Sequence, residues 1–174
     1  MKKSFLYIAF FLVVHSFTAQ TKVNWLNFEE AIALNKKNPK PILIDVYTNW
    51  CGYCKKMDKE TYGNEVIAKY INEHFYAIKL DGEGKKPITY KNYTFKYKEQ
   101  GRAKFHELSA ALLEGKLAYP ATIFMNEKEE LLQKIPGYLS AERFEKILAF
   151  FKTDAYLNED WVAFEKNFKG TLTP

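Results

Sequence analysis

The sequence predicts an α/β fold in which a mixed central sheet is flanked by helices. Three observations carry this. The runs PILIDVYT (residues 41–48) and FYAIKLD (75–81) are short, apolar and rich in β-branched residues, with helical periodicity between them. They read as the two central parallel strands of a βαβ unit. ATIFMN (121–126) and LLQKIPG (131–137) flank the turn residues EKE, as an antiparallel pair would. Ser140 then caps AERFEKILAFF (141–151), a strongly amphipathic helix.

The first twenty residues stand apart from this domain. Lys2 and Lys3 precede an apolar stretch from Ser4 to Val14, which is shorter than the roughly 20 residues a membrane-spanning helix needs. HSFTAQ follows with small residues, so residues 1–20 read as a secretory signal peptide cleaved near Ala19–Gln20. Two lysines leave with it, and the formal charge falls from +5 to +3. So mild a basicity gives no reason to expect nucleic acid as a partner. The 154 residues that remain hold no second apolar span, repeat or low-complexity tract, and suffice for one domain with a real core.

Along that domain, Asn27 and Glu30 form a capping-box pattern before Phe28, Ala31, Ile32 and Leu34, and Asn38–Pro39 ends the helix. The strand that follows holds one anomaly, Asp45, among apolar neighbours. CGYCKKMDKETY (51–62) reads as a helix starting at the first cysteine, and NEVIAKYINEH (64–74) as further helix. DGEGKKP is a loop. ITYKNYTFKYKEQ (88–100) alternates, with Tyr93, Phe95 and Tyr97 on one face, and suggests a hairpin turning at Lys91–Asn92. RAKFHELSAALLEG (102–115) reads as an amphipathic helix ended by Gly115, with His106 inside it. DAYLNEDWVAFEKNF (154–168) suggests a last short helix carrying Trp161 and Phe164.

The chain has two cysteines, Cys51 and Cys54. In an exported protein they invite a structural disulfide, but so short a loop removes little entropy from the unfolded chain and makes a poor staple. A closed zinc site needs four ligands, and nothing in the spacing of His74 and His106 brings them to the pair. At a helix N-terminus, backbone amides and the helix dipole favour a thiolate, and such settings lower a cysteine pKa from about 8.5 to roughly 3.5–7.5. Cys51 would occupy that end, exposed and nucleophilic, with Cys54 one turn further in on the same face. Gly52 leaves room for tight packing or the approach of another backbone, while Lys55 and Lys56 add positive charge nearby. An exposed thiolate beside a buried partner is what thiol–disulfide exchange requires.

ILIDVYTNWCGYCKKM resembles the active-site strand and helix of the thioredoxin superfamily, and most of all the exported bacterial thioredoxin-like proteins with a WCxxCKxM site. The resemblance continues through AIKLD and YPATIFMNEKEELLQKIPGYLSAERFEKIL, and covers about residues 22–152. It implies a thioredoxin-like fold over residues 21–152, with residues 153–174 as a C-terminal extension. Cys51 would be the attacking thiol and Cys54 the resolving one. Asp45 matches the family's buried acid, suited to accept the resolving cysteine's proton, and Lys79 matches a lysine that pairs with it. Trp50 would cover one side of the site. Tyr119 and Pro120, where the family carries its cis-proline, would cover the other and offer backbone to an extended substrate. Gly52 and Tyr53 complete the substrate-facing set, and Gly137 and Ser140 match the passage from last strand to last helix.

The chain departs from the pattern in three places. Tyr53 replaces the proline of CGPC, and CGYC also occurs in periplasmic disulfide isomerases. Residues 82–101 are an inserted loop and hairpin whose Lys/Tyr face suits either a binding patch or protection of a sheet edge. Residues beyond 152 extend the domain. The resulting expectation is a periplasmic or secreted reductase of protein disulfides, acting on proteins with disulfides or oxidised cysteines. It would be monomeric, would bind no cofactor or metal, and would draw electrons from a membrane thiol reductant. The alternatives are a periplasmic disulfide isomerase or oxidase, or a non-catalytic binding module on the same fold. Asn92-Tyr93-Thr94 is a formal glycosylation sequon, relevant only in a eukaryotic host.

Overall fold

The structure, a computed structural model, describes residues 21–172, so the expected signal peptide lies outside the described residues. Helix α1 (Phe28–Lys37) begins where the Asn27 side chain accepts the Glu30 amide at 2.8 Å, and ends at Asn38. Strand β1 (Ile42–Tyr47) follows, then α2 (Gly52–Glu60), α3 (Glu65–His74) and β2 (Tyr76–Asp81). The inserted segment forms β3 (Ile88–Tyr90), β4 (Tyr93–Phe95), β5 (Tyr97–Gln100) and β6 (Ala103–His106), and leads into the short α4 (Glu107–Leu112). Strands β7 (Ala121–Met125) and β8 (Leu131–Pro136) precede α5 (Ala141–Lys152), and α6 (Trp161–Asn167) closes the chain.

The main sheet has the order β2-β1-β7-β8, with β1 parallel to β2 and antiparallel to β7, and β7 antiparallel to β8. It is therefore mixed, as its sequence predicts. Strand β2, expected to be central, is the end strand, and among the described residues only a single bridge, from Leu26 to Ile78, lies beyond it. Its apolar character comes from burial by helices on both faces, which a sequence pattern cannot distinguish from a central position.

Alternation along β1 sends its side chains to two cores. Ile42, Ile44 and Val46 join Ile78, Leu80 and Ile123 beneath α1 and α4. Leu43 joins Ala77 and Phe124 beneath α2, α3 and α5, where Met57, Ile67, Ile71, Phe144 and Leu148 pack. Asp45 points to this second side.

Two local readings are corrected by the structure. Residues 102–115 are not one helix: Ala103–His106 pair with Tyr97–Gln100 across a turn at Gly101, whose φ is +61°, and only Glu107–Leu112 are helical. His106 is thus a buried cap rather than a residue within the helix. Its Nδ1 accepts the Leu108 amide at 3.2 Å, and its Nε2 donates to the Lys86 carbonyl at 3.1 Å. Burial lowers its pKa, which favours this neutral ring. The hairpin at Lys91–Asn92 does form, without glycine, because both residues adopt left-handed φ angles of 47° and 63°.

The C-terminal extension packs on the domain. Phe150 of α5 meets Trp161 and Phe164 at ring-centroid distances of 5.4 and 5.0 Å. The Glu145 carboxylate accepts the backbone amides of Thr171 and Leu172 at 2.6 and 2.9 Å, which ties these two residues to α5.

Phe144 is fully buried and packs edge-on against Tyr62 at 5.5 Å. Phe144→Ala should therefore cost about 3–5 kcal/mol in urea unfolding, and Trp161→Ala, at the half-buried seam of the extension, distinctly less.

Candidate active site

Register across the sheet assembles the acid centre. Asp45 is the partner of Lys79 on β2 and of Thr122 on β7, so three polar side chains form a row on the α2 face of an otherwise apolar sheet. Asp45 is 2% exposed, and its Oδ2 accepts from the Lys79 ammonium at 2.6 Å. Lys79 also pairs with Asp58 of α2, whose side chain is 44% exposed. The ammonium lies over the rings of Trp25, Tyr47 and Tyr62 at 4.8, 5.0 and 5.2 Å, so it is held by two carboxylates and three aromatic faces. A cavity of about 420 Å³ lined by Trp25, Asp58, Tyr62 and Lys79, among others, opens beside it.

Burial drives the Asp45 carboxyl above its ordinary range, and the charge and hydrogen bond of Lys79 only partly offset this. Burial works against the Lys79 charge as well, but Asp45 and Asp58 outweigh it and the ammonium is held more firmly. The Tyr62 phenol is raised well above its usual value by burial and by the Asp45 charge. Asp45 Oδ1, the Tyr62 hydroxyl and Thr122 Oγ1 are buried without a hydrogen-bond partner among the described residues. A carboxyl so placed gives up its proton reluctantly.

Cys51 is the N-cap of α2 and is disulfide-bonded to Cys54, with Cα atoms 5.3 Å apart. Its Sγ accepts the Cys54 amide at 3.1 Å, so the helix N-terminus is directed at this sulfur. Cys51 was expected to be exposed; in the disulfide it is 4% exposed, nearly as buried as Cys54. In this state its sulfur is bonded to Cys54 and caps the helix. Gly52 faces open space, where an added Cβ would touch nothing, so it answers no packing demand within the chain. Lys56 turns away toward Glu60 and the Tyr138 ring, and Lys55 is exposed.

The rim differs from the expected pair of opposing walls. Trp50, 65% exposed, packs edge-on against Tyr119 at 6.0 Å, so these two make one wall rather than two. Tyr53, 64% exposed, pairs with Tyr138 at 6.3 Å and makes another. The Tyr119–Pro120 peptide is cis and leads into β7, where Ala121 pairs with Val46 near the end of β1. The Trp50 indole donates to Glu83 at 3.1 Å, and a Cβ on Gly82 would meet the Tyr119 ring at 2.5 Å. Glycine is required there for that approach.

Asp58, Glu83, Tyr138 and the three rings around Lys79 were missed in the sequence. Asp58 alone had a local signal, since it lies four residues after Cys54 on the same helical face. His74 ends α3 beside Tyr70, and His106 caps α4, so neither joins the cysteines. Among the described residues no cluster of three or more His, Cys, Asp or Glu could hold a metal ion. None of their helices is long and apolar enough to cross a membrane.

Comparison with known proteins extends these observations. The sequence profile of the Thioredoxin-like domain family matches residues 28–152. The thiol:disulfide interchange protein DsbD of Pectobacterium atrosepticum is 27% identical over 142 residues, 77% of this chain but 21% of DsbD. A Caenorhabditis elegans protein is 39% identical over 66 residues, 37% of this chain and 9% of the relative. The chain thus spans only a minor part of these curated relatives. Among solved structures, a thioredoxin-fold protein from Helicobacter pylori has a TM-score of 0.55 at 22% identity, covering 74% of this chain and 80% of that one. A thioredoxin from Thermus thermophilus also has a TM-score of 0.55, at 13% identity, covering 86% and 98%. Both likenesses concern the fold.

The raised carboxyl of Asp45 has a consequence for stability. Between its ordinary value of 3.8 and its raised folded value, the native state binds more protons than the unfolded chain, so stability falls as pH rises through that window. Asp45→Asn removes this penalty. The melting temperature of the variant minus that of the wild type should rise from about pH 4 upward and then level off. A constant difference across the range would show that the carboxyl titrates normally.

Proposed function

The chain belongs to the Thioredoxin-like domain family, and from that premise we propose that it is an exported thiol–disulfide oxidoreductase that reduces protein disulfides through Cys51 and Cys54. The observation that carries this reading is the placement of Cys51 Sγ at the N-terminus of α2, accepting the Cys54 amide, with Cys54 bonded to it one turn away. Amide and helix dipole stabilise negative charge on that sulfur, which favours Cys51 as the thiolate in the reduced form.

In the reducing direction the Cys51 thiolate attacks one sulfur of a client disulfide. A mixed disulfide forms and one client thiolate leaves. Cys54 then loses its proton to the buried Asp45 and attacks the Cys51 sulfur. The Cys51–Cys54 disulfide forms, the second client thiolate leaves, and two electrons have passed to the client. The disulfide state described above is the product of that half-reaction, and a thiol donor, proposed to be a membrane thiol reductant, restores the dithiol. Lys79 and Asp58 act through Asp45 by fixing its charge balance. Trp50, Tyr53, Tyr119 and Pro120 border the path of the client chain, with Gly52 leaving its backbone room to approach.

The proposed organisation is a signal peptide over residues 1–20, a catalytic domain over 21–152 and a packed extension over 153–174, with the mature protein a periplasmic or secreted monomer. Isomerase or oxidase activity is the alternative, since Tyr53 alters the dipeptide between the cysteines.

Insulin-disulfide reduction should vanish in Cys51→Ser, whereas Cys54→Ser should accumulate mixed disulfides with clients. Full activity in Cys51→Ser would end the redox reading. Asp45→Asn should slow resolution of the mixed disulfide by on the order of 10²-fold in stopped-flow measurements. A glutathione titration sorts direction: a potential near roughly −270 mV marks a reductase and one near roughly −120 mV an oxidase.

A further inference from the structure

The charge of this chain is not spread over its surface. Of its 26 lysines and arginines, seven fall in residues 85–104, against a single acid, Glu99. That segment carries +6, and the other 154 residues together carry −1. All seven cations (Lys85, Lys86, Lys91, Lys96, Lys98, Arg102 and Lys104) are exposed.

The segment is built as two ribbons, β3–β4 and β5–β6, each a two-stranded sheet separate from the main one. Lysines protect exposed strand edges from pairing with other chains, and that would account for Lys98 and Lys104, which lie on strands. It does not account for the other five, which lie in turns and connections. Only Lys98 makes an ion pair among the described residues, with Glu107 at 3.4 Å.

The root of the ribbons touches the rim of the disulfide site. Glu83 accepts from Trp50, and Gly82 lies against Tyr119. The Gly82 carbonyl also accepts the His106 amide at 2.7 Å and the Ser109 hydroxyl at 3.0 Å, which locks the exit of the second ribbon to the entry of the first. The second ribbon is thereby anchored at the rim, while the tip of the first, at Tyr90 and Lys91, lies by Glu129 in the turn between β7 and β8, so the basic surface runs from the rim toward the opposite end of the sheet.

We propose that the double ribbon is a docking surface for an acidic segment of a client polypeptide, held there while a disulfide of the same client reacts at Cys51. This rests on the thiol–disulfide reading of the site. A protein client fits better than a lipid surface, because Tyr93 is the one large hydrophobic side chain exposed on the ribbons and nothing there would insert into a bilayer. It also fits better than a nucleic acid, because Tyr90 and Phe95 are turned into packing and the residues outside the segment carry a net charge of −1. The seven cations would raise the local concentration of an acidic client and speed its encounter with the site, an effect that salt screens.

The test uses the full mature protein and three substrates. These are a disulfide-bridged peptide flanked by glutamates, the same peptide flanked by glutamines, and hydroxyethyl disulfide as a small neutral probe. At low salt the glutamate peptide should be reduced roughly tenfold faster than the glutamine peptide, and the advantage should fade as ionic strength rises. The variant Lys86→Gln/Lys96→Gln/Arg102→Gln/Lys104→Gln should lose that advantage while reducing hydroxyethyl disulfide at the wild-type rate. Fluorescence anisotropy of a cysteine-free glutamate peptide reads docking without the chemistry, and its binding should weaken in the same variant. If neither peptide nor hydroxyethyl disulfide is reduced, the redox reading falls and the anisotropy result decides the docking proposal alone. Equal rates for the two peptides with no anisotropy signal would overturn it, as would binding confined to phosphatidylglycerol vesicles or an oligonucleotide.

Discussion

Placing a carboxylate in the middle of the central strand constrains everything around it. Asp45 is flanked by Ile44 and Val46, which are fully buried, and its own side chain is 2% exposed. Breaking a buried ion pair by removing one partner costs about 3–5 kcal/mol, so the position demands a counter-charge. Parallel register supplies one, because pairing Ile42 with Tyr76 brings Lys79 level with Asp45. A slip of one residue would send Lys79 to the apolar face under α1 and leave the carboxylate alone. The pair thus specifies the register of β1 on β2 while it sets the proton affinity of the acid.

The same row joins the sheet to the helix that carries the cysteines. Asp58 lies one turn beyond Cys54 and shares the Lys79 ammonium, so α2 is tied to the acid centre by charge as well as by the packing of Met57. Trp25, Tyr47 and Tyr62 come from the N-terminal segment, the end of β1 and the turn after α2, and they shield the ammonium while leaving Asp58 open to solvent. The acid is therefore buried yet connected to the surface through a lysine and a second carboxylate. On the other side of the cysteines, Trp50, Tyr119, Gly82 and Glu83 link the rim to the root of the inserted ribbons. Residues of the inserted segment thus form part of the surroundings of the disulfide.

Much of this was legible in the sequence, for reasons that can be named. Helix starts at Asn27, Cys51 and Ser140 were readable because a cap and its first turn lie within a few residues. Asp45 was readable as an anomaly because its neighbours in a strand leave no local reason for a charge. The reading failed at residues 102–115, where alanine, leucine and histidine at helical spacing continued back into a segment that β5 claims as a partner. It failed again at β2, because burial under helices makes an end strand look central. The exposure expected of Cys51 is not seen either, since in the disulfide its residue is buried.

By itself the sequence determined the order of the elements outside the inserted segment, the two cysteines one helical turn apart, the acid in the strand before them and the proline strand that follows. Periodicity, caps and turn residues all act over short distances along the chain, so they can be read from it. Only the tertiary structure decided that Trp50 and Tyr119 share one wall and that Tyr53 finds Tyr138. It alone decided that Asp58 reaches Lys79, and that seven cations gather on two ribbons rooted at the rim. Those contacts join segments far apart in the chain, and they depend on strand register and on which helix face is buried. Neither is encoded in any single stretch of residues.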